Sequence, residues 1–480
     1  MSIADLDAQW QQLVFPTGYR NPTPAARYNL VVIGAGPAGL VTSIAAAGLG
    51  ARVALVERHA MGGDCLNVGC IPSKALLAAA AAGAGFDAAM RRAHAVRRDI
   101  AHHDSVARYT QAGVDVFLGE ASFEDPHRIR VGDLLLRTRK TVIATGARAA
   151  MPPIPGLDAI GAHTNETIFD LDAAPRRLSI LGAGAIGCEL AQAFAGLGVQ
   201  VDVIEMQPRI LPLEDPEPAA LVQQALTRDG VRWHLGARVV SAARVADGPA
   251  VLTLDSGDRV EAEVVLVAVG RRRNVEGLAL ERAGVRFDAR AGVEVDAQLR
   301  TSHKDIFAAG DVSSRYQFTH TADAQARIVI RNALFAGRAR TDRLVVPWCT
   351  YTKPELARVG ASRTELDAAA TPFDAFRFAF GDLDRGRTDA AADGYAEVLV
   401  ARGTDRLLGA TIVGRDAGEQ LAPLVVLMTT GTGLGALGSL ILPYPTRAEY
   451  LRRIADAWNR TRLTPRTAGL LASWLRWTRR

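Results

Sequence analysis

The sequence predicts an α/β protein of about three domains, and three observations carry that expectation. The chain has 480 residues, about three times a typical domain. Hydrophobic residues make up 49% and charged residues 22%, which excludes a disordered chain, a fibre or a small disulfide scaffold. The chain also repeats itself at an offset of 148 residues. Residues 31–57 read VVIGAGPAGLVTSIAAAGLGARVALVE, and residues 179–205 read SILGAGAIGCELAQAFAGLGVQVDVIE. Each copy runs from an apolar strand through GAGxxG into an Ala-rich helix and ends at an acidic residue. That is the context of a Rossmann-like dinucleotide-binding βαβ unit, so two copies mean two dinucleotides.

Each glycine has a physical task. Gly34 and Gly182 permit the tight turn, Gly36 and Gly184 let a pyrophosphate approach the backbone, and Gly39 and Gly187 let helix and strand pack closely. The helix N-terminus then presents N–H groups and a positive dipole end to the phosphates. Glu57 and Glu205 stand where a carboxylate bonds ribose hydroxyls. At Glu205 a carboxylate favours NADH over the 2′-phosphate of NADPH; NADPH is the alternative, because Arg209 lies nearby.

The four cysteines are Cys65, Cys70, Cys188 and Cys349. They are too few to staple the fold and suggest a reducing, cytoplasmic compartment. Residues 1–10 carry Asp5 and Asp7 and lack a cationic start before an apolar core, so no secretory signal is expected. Cys65 and Cys70 lie in GGDCLNVGCIPSK, residues 62–74. Their spacing, with no second pair, argues against a structural metal site. Pro72 favours a helix starting near Cys70, and a helix N-terminus stabilises a thiolate. The pair reads as a redox dithiol; Cys188 and Cys349 read as structural.

This segment resembles the redox-active signature of the flavoprotein disulfide reductases, the class I pyridine nucleotide-disulfide oxidoreductases. That family includes glutathione reductase, dihydrolipoyl dehydrogenase and mercuric reductase. The resemblance covers nearly the whole chain from about Tyr28. ATGAR (144–148) resembles the family's crossover segment, and VGRRRN (269–274) the loop leaving its NAD domain. DIFAAGDV (305–312) resembles the second FAD motif. FTHTADAQA (318–326) resembles the helix start that faces the flavin, where a positive helix end stabilises negative charge.

The resemblance implies FAD contacts at Gly34, Gly36, Gly39, Glu57 and Gly63, at Thr145 and Gly146, and at Gly310, Asp311 and His320. It implies NAD(P)H contacts at Gly182, Gly184, Gly187, Glu205 and Gly270. Cys70 matches the thiol beside the flavin, and Cys65 the interchange thiol facing the substrate. Lys74 matches the lysine near the flavin, and Glu189 its carboxylate partner. The implied architecture is α/β, with two Rossmann-like dinucleotide-binding domains, for FAD and NAD(P), plus a C-terminal α+β dimerisation domain. Residues 1–27 form an N-terminal extension, 28–150 and 273–345 the two FAD-binding segments, and 151–272 the NAD(P)-binding domain. Residues 346–465 form the dimerisation domain and 466–480 a basic amphipathic tail.

One departure narrows the branch. The family's last domain carries His-Pro-x-x-x-Glu, whose histidine serves the partner subunit's interchange thiol. In LPYPTRAEYL (442–451) Pro445 and Glu449 keep the pattern, but Tyr444 takes the histidine position. A phenol of pKa about 10 moves protons poorly at neutral pH beside an imidazole near about 6.5. Tyrosine here resembles mercuric reductase, whose dithiol takes a soft metal ion. Unlike mercuric reductases with a C-terminal cysteine pair, this chain has no cysteine after Cys349 and none in residues 1–27. The expected reaction passes electrons from NADH through FAD and Cys65–Cys70 to a soft metal ion such as Hg(II), held transiently by the two thiols, or to a disulfide. The alternative is a disulfide reductase of the dihydrolipoyl dehydrogenase or glutathione reductase type. A non-catalytic flavoprotein binding subunit is the reading from another class, and the set Cys65, Cys70, Lys74 and Glu189 speaks against it. A homodimer is expected, with Tyr444 and Glu449 completing the partner's site.

The charge balance is 56 Lys and Arg against 51 Asp and Glu, a net +5. Nine arginines face only Glu449 and Asp456 between residues 447 and 480. The excess therefore sits in a tail, and no nucleic-acid partner is expected. Residues 421–446 carry no charge, but four glycines interrupt them and Pro445 ends them. A buried helix to about Thr430 and a Gly-rich turn fit better than a membrane span. In the tail, Leu470, Leu471, Trp474, Leu475 and Trp477 among arginines suit a helix on a membrane surface; a tail docked on its own dimer or left solvated is the favoured expectation. Trp10 and Phe15 are expected to pack the N-terminal extension on the body.

Overall fold

In the computed structural model, residues 1–244 and 248–479 are described. Val245, Ala246 and Asp247, within the expected NAD(P)-binding domain, and Arg480, the end of the expected tail, lie outside the described residues. The chain divides into two units. One comprises Met1–Ala183, Leu190–Met206 and Val231–Leu344; the other comprises Gly184–Glu189, Gln207–Gly230 and Val345–Arg480.

The first unit opens with α1 (Ile3–Val14). Ser2 and Asp5 close a capping box at its start, which satisfies amide groups the helix cannot bond itself. The first repeat then folds as β1 (Tyr28–Ile33), α2 (Pro37–Gly48) and β2 (Val53–Glu57). Two short-range helices follow, α3 (Gly63–Asn67) and α4 (Cys70–Ala81), and then the longer α5 (Phe86–Ala101). Further strands are β3 (Val114–Leu118), β4 (Ala121–Asp125), β5 (Arg128–Val131) and β6 (Leu134–Ile143). They build one sheet in the order β3-β2-β1-β6-β5-β4, with Ile306–Ala308 parallel to β6. Along β1, Leu30 and Val32 enter one core, while Tyr28, Val31 and Ile33 enter another. A parallel strand buried on both faces reads as the continuous apolar run seen here.

β7 (Ala147–Ala149) leads out of this sheet. The second repeat supplies β8 (Arg177–Leu181), the helix Ala185–Gly196 and β9 (Gln200–Glu205). β8 and β9 pair in parallel in a four-stranded sheet with Arg232–Leu235 and Val264–Val267.

The second unit is built on a five-stranded antiparallel sheet ordered Pro347–Thr350, Glu355–Gly360, Leu407–Gly414, Tyr395–Ala401 and Phe373–Ala379. The helix Ala422–Thr430 sits where expected and stops at Gly431, whose φ is +69°. It is half-buried, not buried: Leu424 and Leu427 join the core, while Val426 is 59% exposed. One apolar face covers the sheet and the other faces outward. No helix among the described residues is long and apolar enough to cross a membrane. The tail forms the helix Pro465–Trp477, with none of its residues buried.

Candidate active site

The first dinucleotide turn is held from below. Gly34 has φ +103°, and a Cβ there would lie 2.4 Å from the Ala144 carbonyl oxygen. At Gly39 a Cβ would lie 1.8 Å from the Gly34 oxygen. Only glycine fits either place. Glu57 is buried at the end of β2 and accepts the Ala35 N–H at 2.7 Å and the His59 N–H at 2.8 Å. Burial pushes its carboxyl pKa up, against the backbone N–H groups. Gly36 caps α2, and Gly63 backs directly onto it, with a Cβ at Gly63 lying 2.6 Å from the Gly36 Cα.

Three later motifs converge in the same unit. Thr145 Oγ1 donates to the Asn274 carbonyl at 2.7 Å, and Asn274 donates back to the Thr145 and Gly146 carbonyls at 2.9 and 3.0 Å. The segment expected as a loop contains a short strand, Arg271–Arg273, antiparallel to β7. Its Arg271 donates to Asp64 and to the Ala147 carbonyl, and its Nε lies 3.4 Å from Asp311. Burial pushes the Asp311 carboxyl up, and Arg271 opposes that. The Gly310 N–H donates to Gln325 at 2.8 Å. His320 is exposed in the first turn of the helix Thr319–Leu334 and stacks on Phe318, ring centroids 5.3 Å apart.

These residues fit a phosphate-bearing cofactor. The turn admits no side chain, and the neighbouring polar atoms Thr321 Oγ1 and Ser313 Oγ are buried without a hydrogen-bond partner. Buried polar groups of that kind call for a ligand or water.

Cys65 lies midway along α3, half-buried, and Cys70 opens α4, exposed. The two thiols share a hydrogen bond, which with burial and the Cys70 charge pushes the Cys65 pKa up. Cys70 stands at the α4 N-terminus, where the helix dipole favours a thiolate. Thr319 Oγ1 lies 3.9 Å from the Cys70 sulfur. Lys74 is one turn further along α4, on the Cys70 face.

The second turn repeats the first. Gly182 has φ +101°, and Glu205 accepts the Ala183 N–H at 2.8 Å, as Glu57 accepts that of Ala35. Gly184 precedes the helix Ala185–Gly196, and Gly187 is buried within it. Gly270 has φ +139°, and its carbonyl accepts the Ala150 N–H at 2.9 Å. Arg209 donates to the Leu211 and Pro212 carbonyls at 3.0 and 2.9 Å.

In the second unit, Glu189 is buried and accepts the Tyr351 N–H at 2.9 Å. Tyr444 is 71% exposed and donates to Asp384 Oδ2 at 2.7 Å. That bond and the Asp384 charge push the phenol pKa up. Glu449 accepts from Arg453 at 2.6 Å. Among the described residues no group of three or more His, Cys, Asp and Glu is arranged to hold a metal ion.

Residues 28–326 match the pyridine nucleotide-disulphide oxidoreductases, and residues 346–455 match the dimerisation domain of that family. The chain belongs to the pyridine nucleotide-disulphide oxidoreductase family. Members are FAD-dependent enzymes that use NAD(P)H. It is 35% identical over 456 residues to a dihydrolipoyl dehydrogenase of Thermus scotoductus, across 90% of this chain and 97% of that one. It is 33% identical over 456 residues to a mercuric reductase of Streptomyces lividans, across 90% of this chain and 96% of that one. Among solved structures it resembles the Cu(II) complex of the HOCl-induced flavoprotein disulfide reductase RclA from Escherichia coli. The TM-score is 0.84 at 30% identity, covering 90% of this chain and all of the other. The dimerisation domain supports a homodimer.

Motif reading singles out Asp311 and Tyr444 but not the groups that hold them, Arg271 and Asp384. Arg271 lies inside the noted VGRRRN segment, so its charge was visible there. Asp384 lies 60 residues from Tyr444 and leaves no signal in a motif. Thr319 is visible only as the first residue of its helix.

Proposed function

We propose that this oxidoreductase passes electrons from NADH through FAD and the Cys65–Cys70 pair to a soft metal ion such as Hg(II). The observation that carries this reading is the phenol of Tyr444, tied to Asp384, at the position where a disulfide reductase keeps an imidazole. Reducing a disulfide expels a thiolate that must be protonated, and a phenol raised above its ordinary pKa is a poor donor and a worse acceptor near pH 7. Reducing a thiolate-bound metal ion needs no such proton. Hg(II) held by the two thiolates takes two electrons that NADH has supplied through the flavin and leaves as the metal, so Cys65 and Cys70 are not oxidised and remain as thiolates.

When bound, FAD relays an electron pair from NADH to the cysteine pair. The chain's own residues do the rest. The α4 N-terminus stabilises negative charge on Cys70, and Thr319 offers a hydroxyl beside it. Lys74 and Glu189 keep the roles the family resemblance gives them. Glu205 supports NADH, and Arg209 spends its guanidinium on two carbonyls. In this reading Tyr444 and Glu449 complete the partner subunit's site, and the exposure of Tyr444 supports it. A cytoplasmic, reducing compartment fits a working dithiol.

A disulfide acceptor is the second reading, favoured by the likeness to dihydrolipoyl dehydrogenases. NADH-dependent turnover with Hg(II)–thiol complexes, Cu(II), lipoamide and glutathione disulfide, measured side by side, separates the two. Faster turnover of lipoamide or glutathione disulfide than of every metal complex would overturn the metal reading.

A further inference from the structure

The N-terminal helix α1 lies before the residues that match the family, which begin at 28. It is nevertheless bonded to the helix that carries Cys65. Trp10 Nε1 donates to Asn67 Oδ1 at 2.9 Å. Asn67 is the last residue of α3, and its Nδ2 donates to the Gly63 carbonyl at 2.9 Å and the Met61 carbonyl at 3.1 Å. One buried amide thus joins the two ends of α3, with Cys65 at its middle.

Other contacts fix α1 in place. Arg97 of α5 lies over the Trp10 ring, 4.4 Å from its centroid, and donates to the Asn67 carbonyl at 3.3 Å. Asp7 accepts from Arg97 at 2.6 Å and lies 2.6 Å from His94 Nδ1. His94 Nε2 is 2.9 Å from the Phe169 carbonyl. The Val14 carbonyl at the end of α1 accepts the Met61 N–H at 3.1 Å.

A five-residue helix does not hold itself in water, so α3 depends on its surroundings. We propose that α1 is a strap that positions the interchange thiol: Trp10, acting through Asn67, sets where Cys65 stands against Cys70. Both are positioning residues, since neither touches the reacting sulfurs. Without the indole N–H, the buried Asn67 oxygen loses its donor, and the amide no longer closes α3 at full strength. The assignment of a function to this placement rests on the redox role proposed above for Cys65 and Cys70.

The test uses the full-length flavoprotein. Trp10→Phe keeps an aromatic ring beside Arg97 and removes the N–H together with part of the indole. Asn67→Ser breaks the same bond from the other end. The readout is the rate at which iodoacetamide alkylates Cys65 in phosphine-reduced protein, with flavin content and NADH oxidase activity as controls. Trp10→Phe should be alkylated about fivefold faster, the change that one hydrogen bond of about 1 kcal/mol makes in an opening equilibrium, and Asn67→Ser at least as fast, because it also removes the bonds from Nδ2 to the Gly63 and Met61 carbonyls. The double variant should go no further than Asn67→Ser alone, because one bond is being removed twice. Wild-type rates in Trp10→Phe, or additive effects in the double variant, would overturn the strap. The redox reading is judged separately, by whether NADH exposes new alkylatable thiol in the wild-type protein.

Discussion

Two single residues, Tyr444 and Arg271, carry separate tests of the proposed chemistry. Placing an imidazole at 444 restores a group that gains and loses protons near neutral pH, and general acid–base catalysis of this kind contributes on the order of 100-fold or more. Tyr444→His should therefore raise NADH-dependent lipoamide turnover by about that factor and leave Hg(II) turnover within about threefold. Steady-state assays of the two substrates check it, and unchanged lipoamide turnover would remove Tyr444 as an argument for the proposed metal acceptor. Arg271 neutralises two carboxylates, Asp64 and Asp311, beside the FAD motifs. Arg271→Met leaves both charges without their cation at a cost of about 1.5–3 kcal/mol for a charged hydrogen bond. Purified Arg271→Met protein should carry clearly less flavin, read from the ratio of flavin to protein absorbance. The tight turn at Gly34 and the close packing at Gly39 were legible in the sequence because each is local to the turn. Asp384 and Asn67 were not, because their partners lie 60 and 57 residues away, and no local pattern encodes such pairings.

At the scale of elements, the sequence carried the repeat well. Both βαβ units form, and α4 begins at Cys70, where Pro72 and the preceding glycine allow a start. The segment around Arg271 is the instructive difference. VGRRRN resembles the family's loop leaving the NAD domain, yet Arg271–Arg273 pair with β7 as a strand, since the neighbour supplies the ladder that local propensity does not. The exit helix Ala422–Thr430 differs for the opposite reason: an unbroken apolar run reads as buried throughout, but only one face meets the sheet. The docking of α1 adds a pH dependence. Burial raises the Asp7 carboxyl, but His94 and Arg97 outweigh it and hold the pKa below its ordinary value of 3.8. A carboxyl depressed in the folded state contributes stability above its unfolded pKa and loses it as pH falls through the folded value. The strap should thus stay docked at neutral pH and loosen only below about pH 4. Pepsin cleavage within residues 1–27, followed as pH falls, should rise there in the wild type and already be high in Asp7→Asn at the upper end of the pepsin range. Cleavage that is equal in both proteins at every pH would show that Asp7 does not hold the strap.

For the whole molecule, the surface of the second unit is the informative part. Ile441 is 96% exposed, Val426 59% and Tyr444 71%, and all three lie within the matched dimerisation domain. Large exposed apolar side chains in a domain of this kind suit an interaction surface, and its occupant is a second copy of the chain. A charge placed at the centre of such an interface is buried without a partner and costs several kcal/mol. Ile441→Arg combined with Val426→Arg should therefore shift the protein from dimer to monomer in light scattering. If Tyr444 and Glu449 complete the partner subunit's site, that monomer should lose turnover of Hg(II) and of disulfides together. It should keep its flavin and its slow NADH oxidase activity, because the FAD turn, Glu57 and Asp311 all lie in the first unit. A monomer that still reduces its acceptor at the full rate would mean that the site is complete within one chain, and that Tyr444 serves the interface alone.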